Sequence, residues 1–481
     1  MRKFDCQLLT RSEMEKIHEQ SLNILAKTGI KVSHRRALEL LSAAGAKVKF
    51  DAEHVYFPKR LIDRCIEMTP KTVTLFAQDP KYDVVLPHPE GSFYTRCNTG
   101  ARECIDIRNG QCRNVTTSDI EEWVKVVDYL ENIDLCSVPS PADAPNATKD
   151  IHALRVAFKN TKKHVISQPH SEESIDFLAE MAIAASGGST ADFKKRPILG
   201  LLSVCFSPLA YKAMDIEVMF VAGQYNMSIQ LASLATPGGT SPITVAGSIL
   251  LSNVEMLAGT AIAQVINPRV PVILAPQKFP LSMKTGAPLQ GTIEGALANA
   301  AGVQLIKDLY QIPTRMYSPT SDAFFPDLQS MIERTYLSVL NVLGKADIIS
   351  GAGQLEAAAT NSLLQLVIDN DIIGILRKML EGVKMDEESL ASEIINRVGP
   401  GGNFLDQEHT ARHCREFYTP ATFYRGTRQA WKASGAKTIT DRATEKVFAI
   451  LEKHKTSYLG GRISQELDKI VEKADKKLVH K

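Results

Sequence analysis

Eight short apolar runs recur along the chain, at Ser92–Asn98, Ile133–Pro139, Lys163–His170, Ile198–Cys205, Met227–Leu234, Val270–Gln277, Thr314–Thr320 and Ala346–Gly353. Stretches with helical spacing separate most of them: Asp119–Leu130, Asp150–Asn160, Ser171–Ala185, Leu209–Ala222, Val245–Ile266, Thr292–Tyr310 and Asp327–Leu343. A strand that is apolar on both faces must be covered on both faces. Alternation with helices supplies that cover through right-handed crossovers and parallel pairing. The rhythm predicts an α/β fold, a TIM (β/α)8 barrel. In such barrels the chemistry is built where the strands end, at the C-terminal mouth.

Residues 1–91 read as a smaller α+β lead-in. Two helices are expected within residues 10–44, the first opened by a capping box at Ser12-x-x-Glu15 and stopped at Gly29. Alternating strands follow at Lys47–Pro58 and Lys71–Phe76. The barrel is expected over 92–395, with a hairpin insert near 103–116 turning at Asn109-Gly110 in the type I′ manner. Residues 396–481 form a C-terminal helical extension packed on the barrel, with an irregular start at Gly399-Pro-Gly-Gly402 and a basic, frayed end at Lys473–Lys481.

Composition narrows the function. A net charge of +2 gives no basic field for nucleic acid. Met1–Asp5 lacks the apolar core of a signal peptide, and no run approaches the roughly 20 apolar residues of a membrane helix, so a cytoplasmic protein is expected. The eight cysteines show no Cys-x-x-Cys pair and read as reduced thiols, with Cys97 and Cys205 set apart by their position at strand ends.

The strand ends carry the candidate site. The seventh run gives Arg315 and Tyr317, two residues apart and therefore on one face. The loop after it holds Phe324 and Phe325, an aromatic wall or packing beneath the loop. Tyr94 and Asn98 belong to the first run, Gln168 and His170 close the third, Phe206 follows the fourth, and Ser350 lies in the eighth. Thr236, Gly238 and Gly239 form a glycine-rich turn before a helix, either a cofactor-binding backbone cradle or a tight βα turn. Gly351 and Gly353 resemble weakly the phosphate cup found after the last strands of many barrels. Lys278 and Lys284 are candidate Schiff-base lysines, or else solvated loop lysines. His409 and His413 stand at i and i+4, a spacing that suits a metal but equally an ordinary helix surface, and no bound metal is expected.

Several segments, taken in order, resemble the trimethylamine methyltransferase superfamily of corrinoid-dependent enzymes. They are Leu8–Val32, Thr236–Ala246 with Ala263–Pro268, Thr285–Pro288, Ser321-Asp322 with Asp327-x-Gln329, Gly351–Gly353 through Asp369–Asp371, and Val398–Gly402 with Glu408-His409-Thr410. The resemblance spans nearly the whole chain. It implies a TIM barrel and methyl transfer from a methylamine to the cobalt of a separate corrinoid (cobalamin) protein. The trimethylamine enzymes carry pyrrolysine in the barrel, whereas this chain is continuous in standard residues. Pyrrolysine-free relatives act on quaternary amines such as glycine betaine, proline betaine, carnitine and γ-butyrobetaine, so the resemblance implies a substrate of that class. The partners it implies are a cognate corrinoid protein and a small quaternary amine, with a homo-oligomer expected.

The residues can serve that chemistry. A quaternary nitrogen has no N–H and is held by aromatic faces, at about 0.5–2 kcal/mol per contact. Tyr94, Phe206, Tyr317, Phe324 and Phe325 would supply faces, Arg315 a bidentate grip on a carboxylate, and Gln168, His170 and Asn98 the remaining polar contacts. The small Ser350 would leave room for a bulkier betaine. No general acid is needed, because the amine leaves neutral. A Schiff-base or phosphate-binding lyase or aldolase, and a non-catalytic betaine-binding barrel, stand as alternatives.

Overall fold

The computed structural model describes residues 6–479. All eight apolar runs contain a parallel barrel strand: β1 (Tyr94–Cys97), β2 (Leu135–Ser137), β3 (His164–Ser167), β4 (Leu199–Cys205), β5 (Ser228–Ala235), β6 (Val272–Lys278), β7 (Arg315–Tyr317) and β8 (Ile348–Ala352). The pairing runs β6-β5-β4-β3-β2-β1-β8-β7, and a parallel bridge from Leu274 to Thr314 joins β6 to β7 and closes the barrel. The longest ladder lies between β5 and β6, in register from Ile229 opposite Val272 to Ala235 opposite Lys278. Alternate residues face the lumen and the helices.

The chain before the barrel closes its lower end. The antiparallel pair Val73–Leu75 and Val84–Leu86 packs its apolar residues on Leu135, Ile273 and Ile348, with Tyr94 against them. These are early positions of β1, β2, β6 and β8, so the hairpin stoppers the N-terminal end. The first helix, Arg11–Lys27, is capped two residues earlier than its sequence suggests: Thr10 and Glu13 form the box, rather than Ser12 and Glu15. Gly29 does end it, at φ +74, where a Cβ would stand 2.4 Å from the Val55 carbonyl oxygen.

Two local expectations change in the same way. The insert pairs Glu103–Ile105 with Cys112–Asn114, but the Asp106 amide reaches Gln111 across four residues. Only Gly110 among them takes a positive φ, so the turn is a longer loop and not a two-residue type I′ turn. The basic end is ordered: Gly461–Leu478 is one helix, with Lys473 bound to Glu180 at 2.9 Å, while His480 and Lys481 lie outside the described residues.

Val245–Ile266 is an unbroken helix with the length and apolarity of a membrane span, contrary to the expectation that no run approaches one. It is largely buried, against β5 and β6 on one side and the helices Arg11–Lys27 and Lys59–Met68 on the other. Helices Ile439–Lys453 and Gly461–Leu478 of the C-terminal extension pack on the barrel helices Thr117–Tyr129 and Glu172–Ala185 respectively.

His164 sits low in the barrel with Nδ1 2.7 Å from the Phe76 carbonyl oxygen. Burial holds its pKa down to about 4. The folded state therefore keeps it neutral between about pH 4 and its ordinary value of 6.5, while the unfolded chain takes up a proton there. The unfolded state binds more protons in that window, so stability falls as the pH drops. Going from pH 7 to pH 5, His164 should cost about 2 kcal/mol of unfolding free energy. His164→Asn should lose that much less over the same interval, measured by urea unfolding at both pH values. Equal losses in the two proteins would contradict the assignment.

Candidate functional site

Two arginines lie side by side in the barrel, both fully buried. Arg96 projects from β1 and Arg315 from β7, at positions that alternation turns into the lumen. Arg96 Nη1 donates to Gln230 Oε1 on β5 at 3.0 Å, and Nη2 reaches Thr99 Oγ1 at 3.5 Å. Arg315 Nη1 donates to Ser350 Oγ on β8 at 2.9 Å. Gln277 on β6, turned with its amide oxygen toward Arg315, accepts from Nη1 at 2.8 Å and Nη2 at 3.2 Å.

Among the described residues, no carboxylate meets either guanidinium. The barrel does have a buried arginine neutralised in the ordinary way. Arg334, equally buried, is paired with Asp369 at 2.7 Å, and donates also to Ser330 Oγ and the Gln354 carbonyl. The Arg96 and Arg315 partners are amides and hydroxyls. Burial lowers the pKa of Arg96. Burial and then the charge of Arg96 lower that of Arg315. A guanidinium does not give up its proton in a protein, so both stay charged and the strain is electrostatic.

Beside the pair, Arg96 Nε, Arg315 Nε and Gln230 Nε2 have no hydrogen-bond partner. A buried cation pair with unsatisfied donors has the chemistry to accept a small anion. Tyr317 roofs it. Burial alone would raise the pKa of the Tyr317 phenol, but Arg315 and Arg96 outweigh that and bring it below its ordinary value. Its ring lies 5.1 Å from the Arg315 guanidinium carbon and tilts against Phe279, with centroids 5.8 Å apart. The ensemble is a buried pair of cations with two aromatic rings beside it.

Of the residues singled out from sequence, Arg315, Tyr317 and Ser350 come together here. The Ser350 hydroxyl accepts from Arg315 and so holds the guanidinium in place. Tyr94 lies at the opposite, stoppered end of β1, away from the mouth. Asn98 ties β1 to the chain after β8, donating to Asn361 Oδ1 at 2.7 Å. Gln168 and Phe206 line a cavity of about 310 Å³ at the mouth ends of β3, β4 and β5, together with Leu202, Val204 and Leu234, which share the lumen face with Gln230. The Phe206 face there is already taken by Lys212 Nζ, 3.6 Å from the ring centre. His170 meets Ser140 Oγ at 3.2 Å. Phe324 and Phe325 are exposed on the rim, more than half of each open to solvent.

The glycine-rich turns are closed on themselves. The amides of Gly239, Thr240 and Ser241 all donate to the Thr236 carbonyl, and that of Gly238 donates to Ser241. No cradle of free amides for a phosphate is left at Thr236, Gly238 and Gly239. The Gly353 amide donates to Asp369, and a Cβ on Gly351 would stand 2.4 Å from Gln354 Nε2. Both glycines serve close packing. Lys278 points out of the barrel, its Nζ held by the carbonyls of Pro276 and Ala298 and its pKa brought down to about 7 by burial. Lys284 is exposed on the loop. Neither lysine is placed to meet a substrate at the arginine pair. Cys97 and Cys205 donate to the Ser137 and Ala210 carbonyls, each at 3.2 Å.

Sequence reading missed Arg96, Thr99, Gln230, Gln277 and Phe279. The signal for Arg96 is the one that marks Arg315: a lone arginine inside an apolar strand, whose side chain must be buried on one face or the other.

Comparison with known proteins agrees with this architecture. The profile of the trimethylamine methyltransferase (MTTB) family matches residues 2–478. A trimethylamine methyltransferase, MttB1 of Methanosarcina mazei, is 31% identical over 98% of this chain and 95% of its own length. A glycine betaine methyltransferase of Desulfitobacterium hafniense is 29% identical over 88% of each chain. The crystal structure of the Methanosarcina barkeri monomethylamine methyltransferase MtmB shares the fold, with TM-score 0.51 at 12% identity over 92% of this chain and 89% of that one. The chain is a methyltransferase and belongs to the trimethylamine methyltransferase family.

Proposed function

We propose that this methyltransferase takes a methyl group from a quaternary amine that carries a carboxylate, and passes it to a corrinoid protein. The observation that carries the reading is the uncompensated Arg96–Arg315 pair. Trimethylamine has no anionic group and would leave both guanidiniums without a counter-charge. A betaine brings one. Its carboxylate would accept from the arginines and Gln230, and its ammonium would lie toward the Tyr317 and Phe279 rings, where aromatic faces attract a cation that cannot hydrogen-bond.

The described lumen residues named at this level are arginines, amides, hydroxyls and aromatic rings, and the Tyr317 phenol is the titratable group among them besides the guanidiniums. That donor set suits a reaction whose nucleophile arrives from outside. The rim fits a docked carrier, with Phe206, Ile243, Met283, Phe324, Phe325 and Leu328 exposed around the mouth. The corrinoid, when its carrier is docked, supplies the nucleophile that accepts the methyl group. The protein's own part is to hold the carboxylate deep, present an N-methyl toward the mouth, and keep water from the aromatic end.

The test is a methyl-transfer assay with reduced corrinoid carrier, followed by the visible spectrum of the carrier. Glycine betaine, proline betaine, carnitine and γ-butyrobetaine form one panel, and trimethylamine, choline and tetramethylammonium the other. Activity confined to the carboxylate panel is expected. Turnover of trimethylamine at a comparable rate would overturn the reading.

A further inference from the structure

The His409/His413 spacing has no place in the barrel chemistry, and the fold puts it in an unusual setting. From Gly382 to Ala436 the chain forms only short helices, and Pro420 and Thr422 are its only buried residues. Such a stretch has no core of its own to hold it, and small units of this kind are commonly held by a cross-link or a metal. The helices Glu387–Leu390 and Glu408–His413 nevertheless meet at one point. There Glu388, His409 and His413 each offer a ligand atom, all within 4.8 Å of one another.

The hydrogen bonds around the cluster sort the ring nitrogens. His413 Nδ1 lies 2.7 Å from Glu416 Oε1, so in the neutral ring the proton sits on Nδ1 and Nε2 keeps a lone pair. That Nε2 points at Glu388 Oε1, 3.1 Å away. His409 Nε2 lies 3.0 Å from the Glu388 carbonyl oxygen, so it carries the proton and Nδ1 is free. The two imidazoles lie close together, tilted by 39° with centroids 4.3 Å apart. A carboxylate oxygen facing the lone pair of a neutral imidazole needs a cation between them or a proton on the ring. Arg412 also reaches Glu388 Oε1, at 3.0 Å, and competes for that oxygen.

We propose that Glu388, His409 and His413 bind a divalent transition-metal ion of the zinc type, and that this ion clips the 382–436 segment together. Two imidazoles and a carboxylate are a zinc donor set, with a water to complete four-coordination. Glu416 is the outer carboxylate that orients a ligating histidine. The clip closes a loop of about twenty residues between Glu388 and His409, a constraint that tells most on a stretch lacking a core. The site lies outside the barrel, and the proposal stands independently of the substrate assigned above.

The experiment uses the full-length protein stripped with a chelator, then titrated with Zn2+ by calorimetry and with Co2+ by visible absorption. One ion per chain is expected, with the d–d bands of tetrahedral Co2+. His409→Ala/His413→Ala should abolish stoichiometric binding. Glu416→Gln, which leaves all three ligands in place, should weaken it about 10- to 100-fold. Limited proteolysis should cut within 382–436 in the stripped protein and be suppressed by Zn2+. Circular dichroism and the melting temperature, compared before and after stripping, show that the barrel stays folded. Sub-stoichiometric binding by the wild-type chain at micromolar Zn2+, or equal binding by the double variant, would overturn the proposal. So would a proteolysis pattern that Zn2+ leaves unchanged.

Discussion

Replacing both lumen arginines, Arg96→Met with Arg315→Met, is expected to destroy activity while making the protein more stable. The two buried charges repel one another and have only amides and hydroxyls for company. Exchanging buried charge for apolar side chains of similar length is often stabilising, and a gain of about 1–3 kcal/mol is expected here. Activity should move the other way. Losing a charge-assisted grip on a desolvated carboxylate costs about 2–4 kcal/mol, so Arg315→Met alone should lower kcat/KM about 10²- to 10³-fold. The measurement pairs thermal or urea unfolding with methyl-transfer kinetics on the same preparations. If stability falls along with activity, the arginines hold the barrel together and the anion seat is the wrong account of them.

The opposite outcome is expected at the third buried arginine. Asp369 gives both carboxylate oxygens to Arg334 and accepts from the Gly353 amide at the end of β8. Asp369→Asn keeps the shape and removes the charge, stranding a guanidinium that is wholly enclosed. Removing one partner of such a pair costs about 3–5 kcal/mol. Urea unfolding at neutral pH should show a loss of that size, with kcat/KM close to wild type in the fraction that remains folded. A loss under about 1 kcal/mol would mean the pair is better solvated than its burial indicates. The two experiments together ask whether one fold uses the same side chain in two ways: neutralised where it supports the structure, left bare where it meets a ligand.

The barrel was legible because its strands are buried on both faces, and such strands read as apolar runs whatever surrounds them. All eight runs hold a strand. Boundaries and turns were less legible because they depend on competing local hydrogen bonds. Thr10 and Ser12 are both able caps, and the choice of Thr10 rests on which residue meets Glu13. Asn109-Gly110 carries a hairpin signal, yet the pairing of Asp106 with Gln111 imposes a longer loop.

The site was read in part. Arg315 and Tyr317 were found because i, i+2 spacing fixes a common face. Arg96 has the same logic but lies in a short strand beside the more conspicuous aromatic Tyr94, which belongs to the stoppered end. Gln230 and Gln277 each follow apolar residues in their runs and carry no motif. Only closure of the sheet brings β5 and β6 round to β1 and β7. Lys278 shows the reverse case. Its position at the end of β6 suggested chemistry, and the one-residue alternation from Gln277 turns it outward instead.

Binding of a matched pair of ligands to the enzyme alone tests the central claim most directly. Glycine betaine and choline share a trimethylammonium group, and only the first has a carboxylate. Calorimetry on the wild-type protein should give an affinity about 100-fold higher for glycine betaine or a larger betaine than for choline, and Arg315→Met should erase the difference. If choline binds as tightly as every betaine tried, or if the preference survives in Arg315→Met, the arginine pair does not hold the carboxylate of the substrate.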